Sequence, residues 1–491
     1  MGDLERVTPE EVGISSSAVM RFLDELEEGI TEPHGVMIMR HGKICVEGAW
    51  KPYAVGMNHG MQSFTKTYAG TAIGIACTQG LLSLDERLGD IFPGKGTVQE
   101  YSDRLTVRNL LRMGTGMRSL PGFDGDWVEN FLSHPIEKEP GSEFFYNSVG
   151  STMLGAVIRA KTGKTLHQFL SKNLFQKIGI DETHVGWLRL QDGMEVGGSG
   201  IFTTLEDNLR LMKLYLDGGV WEGERILSEE YVKLASSRQI DHHAGPLAEG
   251  SAGYGFQMWM CSRTGCFRAD GAMGQYGFVA PEEDMVIILH ETVDSSKCDT
   301  ILSYFYHLLE EGVDGEASSK EEQEALQKRL RCLSLPAPLT GKKGDRKAFE
   351  GKWEIADGRF HMGIVTGGIM QKYYPVTPID RFALRFAGDE CILTIEEAGR
   401  RKELRAGMDG AYRRNILQVP FYPVSVLEMA CRFEGEKELC MECRLPETCF
   451  AYEIRMTAME AGIKITKEYS ISDPEPDGCH QASAVREGKR Q

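Results

Sequence analysis

The chain has 491 residues, 41% hydrophobic and 26% charged, a length that predicts two domains rather than one core. Its formal charge of −17 is spread along the chain, which excludes the clustered Lys and Arg that nucleic acid requires of a partner. No run reaches the roughly eighteen apolar residues that span a bilayer, so no membrane partner is expected. The acidic opening MGDLERVTPEEVGISSSAV has no apolar signal core, so a cytoplasmic setting with the 12 cysteines reduced is expected.

The first element is SSSAVMRFLDELEEGI, a helix with a Ser cap and apolar residues at helical spacing. GVMIMRHGKICVEGAW reads as two strands turned at His41-Gly42-Lys43. MQSFTKTYAGTAIGIACTQG follows, small and apolar nearly all round, which predicts a buried helix ending near Gly80. Residues 150 to 235 read as helical, with Thr204 and Asp207 in the form of a capping box. YGFQMWMC, CFRADGAMGQYGFVA and DMVIILHETV are strand patterns, and CDTILSYFYHLLEEG is an amphipathic helix. The helices near 20 and 300 are expected to flank one antiparallel sheet, an α+β arrangement.

Residues 312–347 are charged and then punctuated by Pro and Gly, and read as a linker with one short helix. From 348 to 471, runs such as FEGKWEIA, FHMGIVTG, RFALRFAG, CILTIEEA and CFAYEIRMTA predict an all-β barrel or sandwich. A disordered tail is expected over 472–491. Cys440 and Cys443 in CMEC have the spacing of half a zinc site. However, Cys431 and Cys449 do not form a second C-x-x-C, and i and i+3 residues of a strand face opposite ways. No metal or cofactor is expected.

Ser63 and Lys66 form a Ser-x-x-Lys at the start of the buried helix. A serine hydroxyl becomes a nucleophile when something takes its proton and something else holds the oxyanion. One helical turn places a lysine amine on the serine's face, where burial and the positive helix end favour the neutral base. Spacing alone favours a capping Ser and a surface Lys, so the case rests on the surroundings.

Two later stretches supply partners. EPGSEFFYNSVGSTMLGAVIRAKTGKT places Tyr146 ahead of a helix, and RADGAMGQYGFVAPEEDMVIIL supplies a Gly-rich strand edge. With GLLSLDERLGDIFP, LTVRNLLRMGTGM and GGSGIFTTLEDNLRLMKLYLDGG in matching order, residues 8 to 310 resemble the serine β-lactamase and penicillin-binding-protein-like superfamily. The likeness is to its class C-like branch of esterases, D-aminopeptidases and aminohexanoate-oligomer hydrolases.

The resemblance implies an antiparallel sheet flanked by helices with an all-helical subdomain over 1–311. It also implies Ser63 as the acylated nucleophile, Lys66 as its base and Tyr146 as the proton relay to the leaving group. In the family's Tyr-x-Asn element the third position here is Ser148, with Asn147 one place early. The usual Lys-Thr-Gly is replaced by Ala269-Asp270-Gly271, and the Ser63 and Ala272 amides stand where the oxyanion hole is built. Ser148, Trp127, Gln275 and the strand-edge residues Asp270 and Gly271 are expected against substrate, while His59 reads as a structural histidine rather than a cleft residue. Loss of the cation at 269 beside Asp270 points to a neutral or cationic ester or amide of a small molecule or short peptide. A homo-oligomer is compatible with all of this. The alternative is a non-catalytic binder or sensor on the same fold, against which the intact Ser63, Lys66 and Tyr146 argue.

Overall fold

A computed structural model describes residues 3–242, 248–363, 373, 377–418, 422–470 and 481–487. Contacts divide the chain into two compact units, one ending at Leu333 and the other beginning at Ser334.

In the first unit, helix α1 (Ser16–Glu27) is followed by strands β1 (Thr31–Arg40) and β2 (Lys43–Ala49). His41 and Gly42 both have positive φ in the turn between them, the twist that a two-residue hairpin requires. Helix α2 (Thr65–Thr78) carries the Ser-x-x-Lys segment, and α3 (Ser148–Thr162) and α4 (Leu205–Leu216) belong to the helical stretch between the two halves of the sheet. Strands β3 (Trp259–Met260), β4 (Phe267–Gly271), β5 (Gln275–Ala280) and β6 (Met285–Val293) complete the sheet, followed by α5 (Cys298–Gly312). The strand order is β2-β1-β6-β5-β4-β3, antiparallel throughout.

Strand alternation assigns the two faces of this sheet. Phe278 meets Phe305 and Tyr306 of α5 at 5.4 and 6.0 Å, whereas Gly277, one residue earlier, turns toward Phe64 and Met212. One face therefore carries α5 and α1, and the other carries α4 and the turn that holds Ser63. The sheet thus supports the serine directly from beneath.

Two boundaries differ from the sequence reading. Within 312–347, helix α6 (Lys320–Cys332) belongs to the first unit. Its Leu326 is fully buried, and Arg329 reaches Asp24 at 2.6 Å and Glu27 at 3.0 Å on α1. Its charged surface looks like linker, but its narrow apolar stripe docks.

The second unit contains β7 (Gly351–Gly358), β8 (Ile379–Ala387), β9 (Glu390–Glu397), β10 (Arg400–Gly407) and β11 (Arg413–Ile416). It continues with β12 (Val426–Gly435), β13 (Glu438–Arg444), β14 (Ala451–Ala458), β15 (Ile463–Tyr469) and β16 (Gln481–Arg486). Nine of these close a barrel in the order β7-β8-β9-β10-β12-β13-β14-β15-β16, with β11 paired outside it to β12. Every pairing is antiparallel except β10 with β12, which meet in parallel at Gly407 and Ala430. There the Asn415 side chain accepts from the Arg405 amide at 2.7 Å and donates to its carbonyl at 2.9 Å. A side-chain amide thus completes the ladder.

The barrel's last strand, β16, lies inside the stretch expected to be disordered. Residues 481–486 pair with both β7 and β15. FHMGIVTG falls largely outside the described residues, and Phe360–Gly363 at its start are not a strand. Cys440 lies near Glu434 and Glu453. Both carboxylates are held by Arg432, at 2.7 and 2.5 Å, and by Arg455. Among the described residues no helix is long and apolar enough to cross a membrane.

Candidate active site

Ser63 sits in the single 3-10 turn Gln62–Phe64 that leads into α2. The turn is fixed from both sides. Met61 donates its amide to Ile201 at 2.9 Å, and the Thr65 hydroxyl donates to the Gln62 carbonyl at 2.5 Å while accepting from the Ile201 amide. Gln62 has φ 48°, a left-handed conformation unusual for a residue with a side chain. Such conformations persist where surrounding structure enforces them.

Lys66 is fully buried, and its Nζ lies 2.9 Å from Ser63 Oγ and 2.5 Å from the Gly198 carbonyl. Burial lowers its pKa to about 7, against the opposing pull of the Asp270 carboxylate. A neutral amine in this position donates to Gly198 and keeps its lone pair for the serine proton. Tyr146 is hydrogen-bonded to Ser63, and burial raises its phenol pKa, so it stays protonated. Lys66 Nζ lies 4.7 Å from the Tyr146 ring centroid, and the ring stacks on Trp259 at 5.7 Å. Ser63, Lys66 and Tyr146 therefore converge.

The Gly198 carbonyl is held there because residue 198 has no side chain. A Cβ would lie 2.2 Å from the Ser148 carbonyl at the start of α3. Gly198→Ala is therefore expected to cost roughly 1–3 kcal/mol through forced backbone displacement. Thermal unfolding should show this as a lower melting temperature.

A cleft of about 310 Å³ opens at Ser63, walled by Tyr146, Trp259, Asp270, Gly271 and Ala272. The β4 edge runs against the turn that holds Ser63 so closely that a Cβ on Gly271 would lie 2.3 Å from the Met61 carbonyl. Asp270 both faces this cleft and accepts from Arg268 Nε at 2.9 Å. Burial raises its carboxyl pKa, with Arg268 opposing.

Other expected contacts lie elsewhere. Gln275 is fully buried and donates to the Met273 and Glu291 carbonyls at 3.0 and 2.8 Å, bracing the β4–β5 hairpin rather than lining the cleft. Trp127 is buried, donates to Asp192 at 3.1 Å and packs edge-on against Phe123, outside the cleft lining. Ser148 is the first residue of α3 and also stands outside that lining. Asn147 is its N-cap, accepting from the Gly150 amide at 2.8 Å, so its side-chain oxygen is committed to the helix. His59 is buried 3.0 Å from a ring nitrogen of His34. Sequence reasoning missed Glu249 and Asp299, which share the cleft wall with Arg268; nothing in their local sequence marks them.

The family model described as Beta-lactamase matches residues 23–308, and the chain belongs to that family. It is similar to a 6-aminohexanoate-dimer hydrolase of Paenarthrobacter ureafaciens, 23% identical over 308 residues that cover 57% of this chain and 78% of that protein. It is also similar to a putative D-alanyl-D-alanine carboxypeptidase of Escherichia coli (strain K12), 24% identical over 162 residues, 29% of this chain and 37% of that protein. Among solved structures, a putative beta-lactamase from Bacteroides dorei superposes with a TM-score of 0.52 at 18% identity, over 60% of this chain and 99% of that one. The fold expected of the first unit is the one found.

Proposed function

We propose that the protein is a serine hydrolase that cleaves an ester or amide of a small molecule or short peptide through an acyl-enzyme on Ser63. The observation that carries this reading is the buried Lys66 amine 2.9 Å from the serine oxygen, with its pKa lowered to about 7. Neutral Lys66 takes the hydroxyl proton as Oγ attacks the substrate carbonyl. The Ser63 and Ala272 amides face the developing oxyanion. When the carbon–heteroatom bond breaks, the Tyr146 phenol gives its proton to the leaving group and is reprotonated from Lys66. Water then attacks the acyl carbon, with the same groups acting in reverse, and the acid product leaves. These roles need no group that the chain itself does not supply. The names of its relatives, a 6-aminohexanoate-dimer hydrolase and a putative D-alanyl-D-alanine carboxypeptidase, support a hydrolase reading.

The direct test is incubation with a panel of activated esters, β-lactams and D-amino-acid amides, followed by peptide mass spectrometry. A mass increase on the peptide containing Ser63 is expected, and unmodified Ser63 during turnover would overturn the reading.

A pH dependence follows from the same geometry. The base must be unprotonated, so kcat/KM is expected to rise with pH through a midpoint near 7. The Asp270 carboxylate favours the ammonium form and so raises that midpoint. Asp270→Asn should therefore move the limb to lower pH, which a kcat/KM profile on a neutral ester will show.

A further inference from the structure

We infer that the cleft selects substrates carrying a positively charged group, an inference that rests on the acyl-enzyme reading above. The cleft's formally charged lining residues, among those described, are Glu249, Asp270, Asp299 and Arg268, with His242 a further titratable side chain. Three carboxylates against one guanidinium leave a surplus of two negative charges around a concave, partly desolvated space. Such a space focuses the field and raises the local concentration of the opposite charge.

Arg268 is not available to a substrate anion. Its Nε donates to Asp270 at 2.9 Å, and its Nη1 donates to Glu249 at 3.2 Å and to the Met260 carbonyl at 3.0 Å. Its side chain is 3% exposed. Glu249 is equally enclosed, accepting from Tyr306 at 2.6 Å and from the Ser262 amide at 3.1 Å as well as from Arg268. The Arg268 guanidinium is thus shared between Glu249 and Asp270 and leaves one negative charge of that trio uncompensated, which with Asp299 sets the charge that a ligand meets. Asp270 keeps a fifth of its side chain exposed. Asp299 is half-buried at the second residue of α5 and accepts from the Ala248 amide at 3.1 Å, which fixes it at the cleft wall. Trp259 and Tyr146 present aromatic surface in the same wall, which a quaternary or primary ammonium tolerates and a carboxylate does not. A substrate carboxylate therefore meets repulsion, with no free cation among the described lining residues to offset it, and discrimination of this kind works through the repulsive element as much as the attractive one.

The experiment compares kcat/KM in two series matched in shape. The acyl series is p-nitrophenyl 4-(trimethylammonio)butanoate, its neutral 5,5-dimethylhexanoate isostere and the hydrogen adipate. The leaving-group series is acetylthiocholine against its neutral 3,3-dimethylbutyl thioester isostere. In at least one series the cationic member is expected to exceed the neutral one by about tenfold or more, with the hydrogen adipate below both acyl partners. Added salt should shrink the preference, since it screens charge. Asp299→Asn, which keeps an oxygen for the Ala248 amide, should lower the cation-to-neutral ratio severalfold, a change that a purely structural role would not produce. Ser63-dependent hydrolysis of the neutral esters without a cationic preference in either series overturns this inference alone. Absence of any Ser63-dependent turnover overturns the acyl-enzyme reading and this inference with it.

Discussion

Ser63→Ala is expected to reduce turnover by about 10³-fold or more, the scale seen when a nucleophile is taken from a set of residues that act together. The fold should survive, because the turn is held by the bonds of Met61 and Thr65 to Ile201 and Gln62, none of which uses the serine hydroxyl. Steady-state kinetics beside a thermal melt separates the two effects. Near-wild-type hydrolysis by a folded Ser63→Ala variant would show that the chemistry lies elsewhere.

Lys66→Ala is expected to be nearly as damaging. It removes the base and also leaves the Gly198 carbonyl facing a cavity where the amine had been. Tyr146→Phe keeps the ring over Trp259 but loses the proton, with an expected drop on the order of 10²–10⁴-fold for a general acid. Because the proposed relay passes through all three side chains, Lys66→Ala combined with Tyr146→Phe should be little worse than the worse single variant. Losses that multiply in the double variant would mean that the two residues act independently, and the proposed relay would fail.

The parts of this arrangement legible in the sequence are those set by short spacings. Ser63 and Lys66 are one helical turn apart, so a helix start is enough to bring them together. The β1–β2 hairpin is dictated by two adjacent residues able to adopt positive φ. The cleft's charge was only partly legible. Asp270 could be read from its place beside the strand-edge glycine, but Glu249 and Asp299 reach it from a loop and a helix that only tertiary packing unites. Gln275 misled because alternation along β5 fixes a side chain's face only once the hairpin register is known, and that register turns it inward. Asn147 shows the opposite limit. It sits next to the Tyr-x-Asn pattern yet is used by the backbone of α3. At the chain's end QASAVR has a single β-branched residue, so its strand propensity is weak and two neighbouring strands impose the conformation.

The barrel has an odd number of members, and an odd ring cannot alternate direction all the way round. One junction must break the pattern wherever the chain places it, much as an odd cycle cannot be coloured with two colours. Here the mismatch falls between β10 and β12, where one residue pair and the borrowed amide of Asn415 stand in for a full ladder. Topology imposes this fault line, so changing side chains can make it weaker or stronger but cannot remove it. Opening of the ring is therefore expected to start at this junction and unroll the wall as a flat sheet, while β15, β16 and β7, far round the circumference, are the last to part.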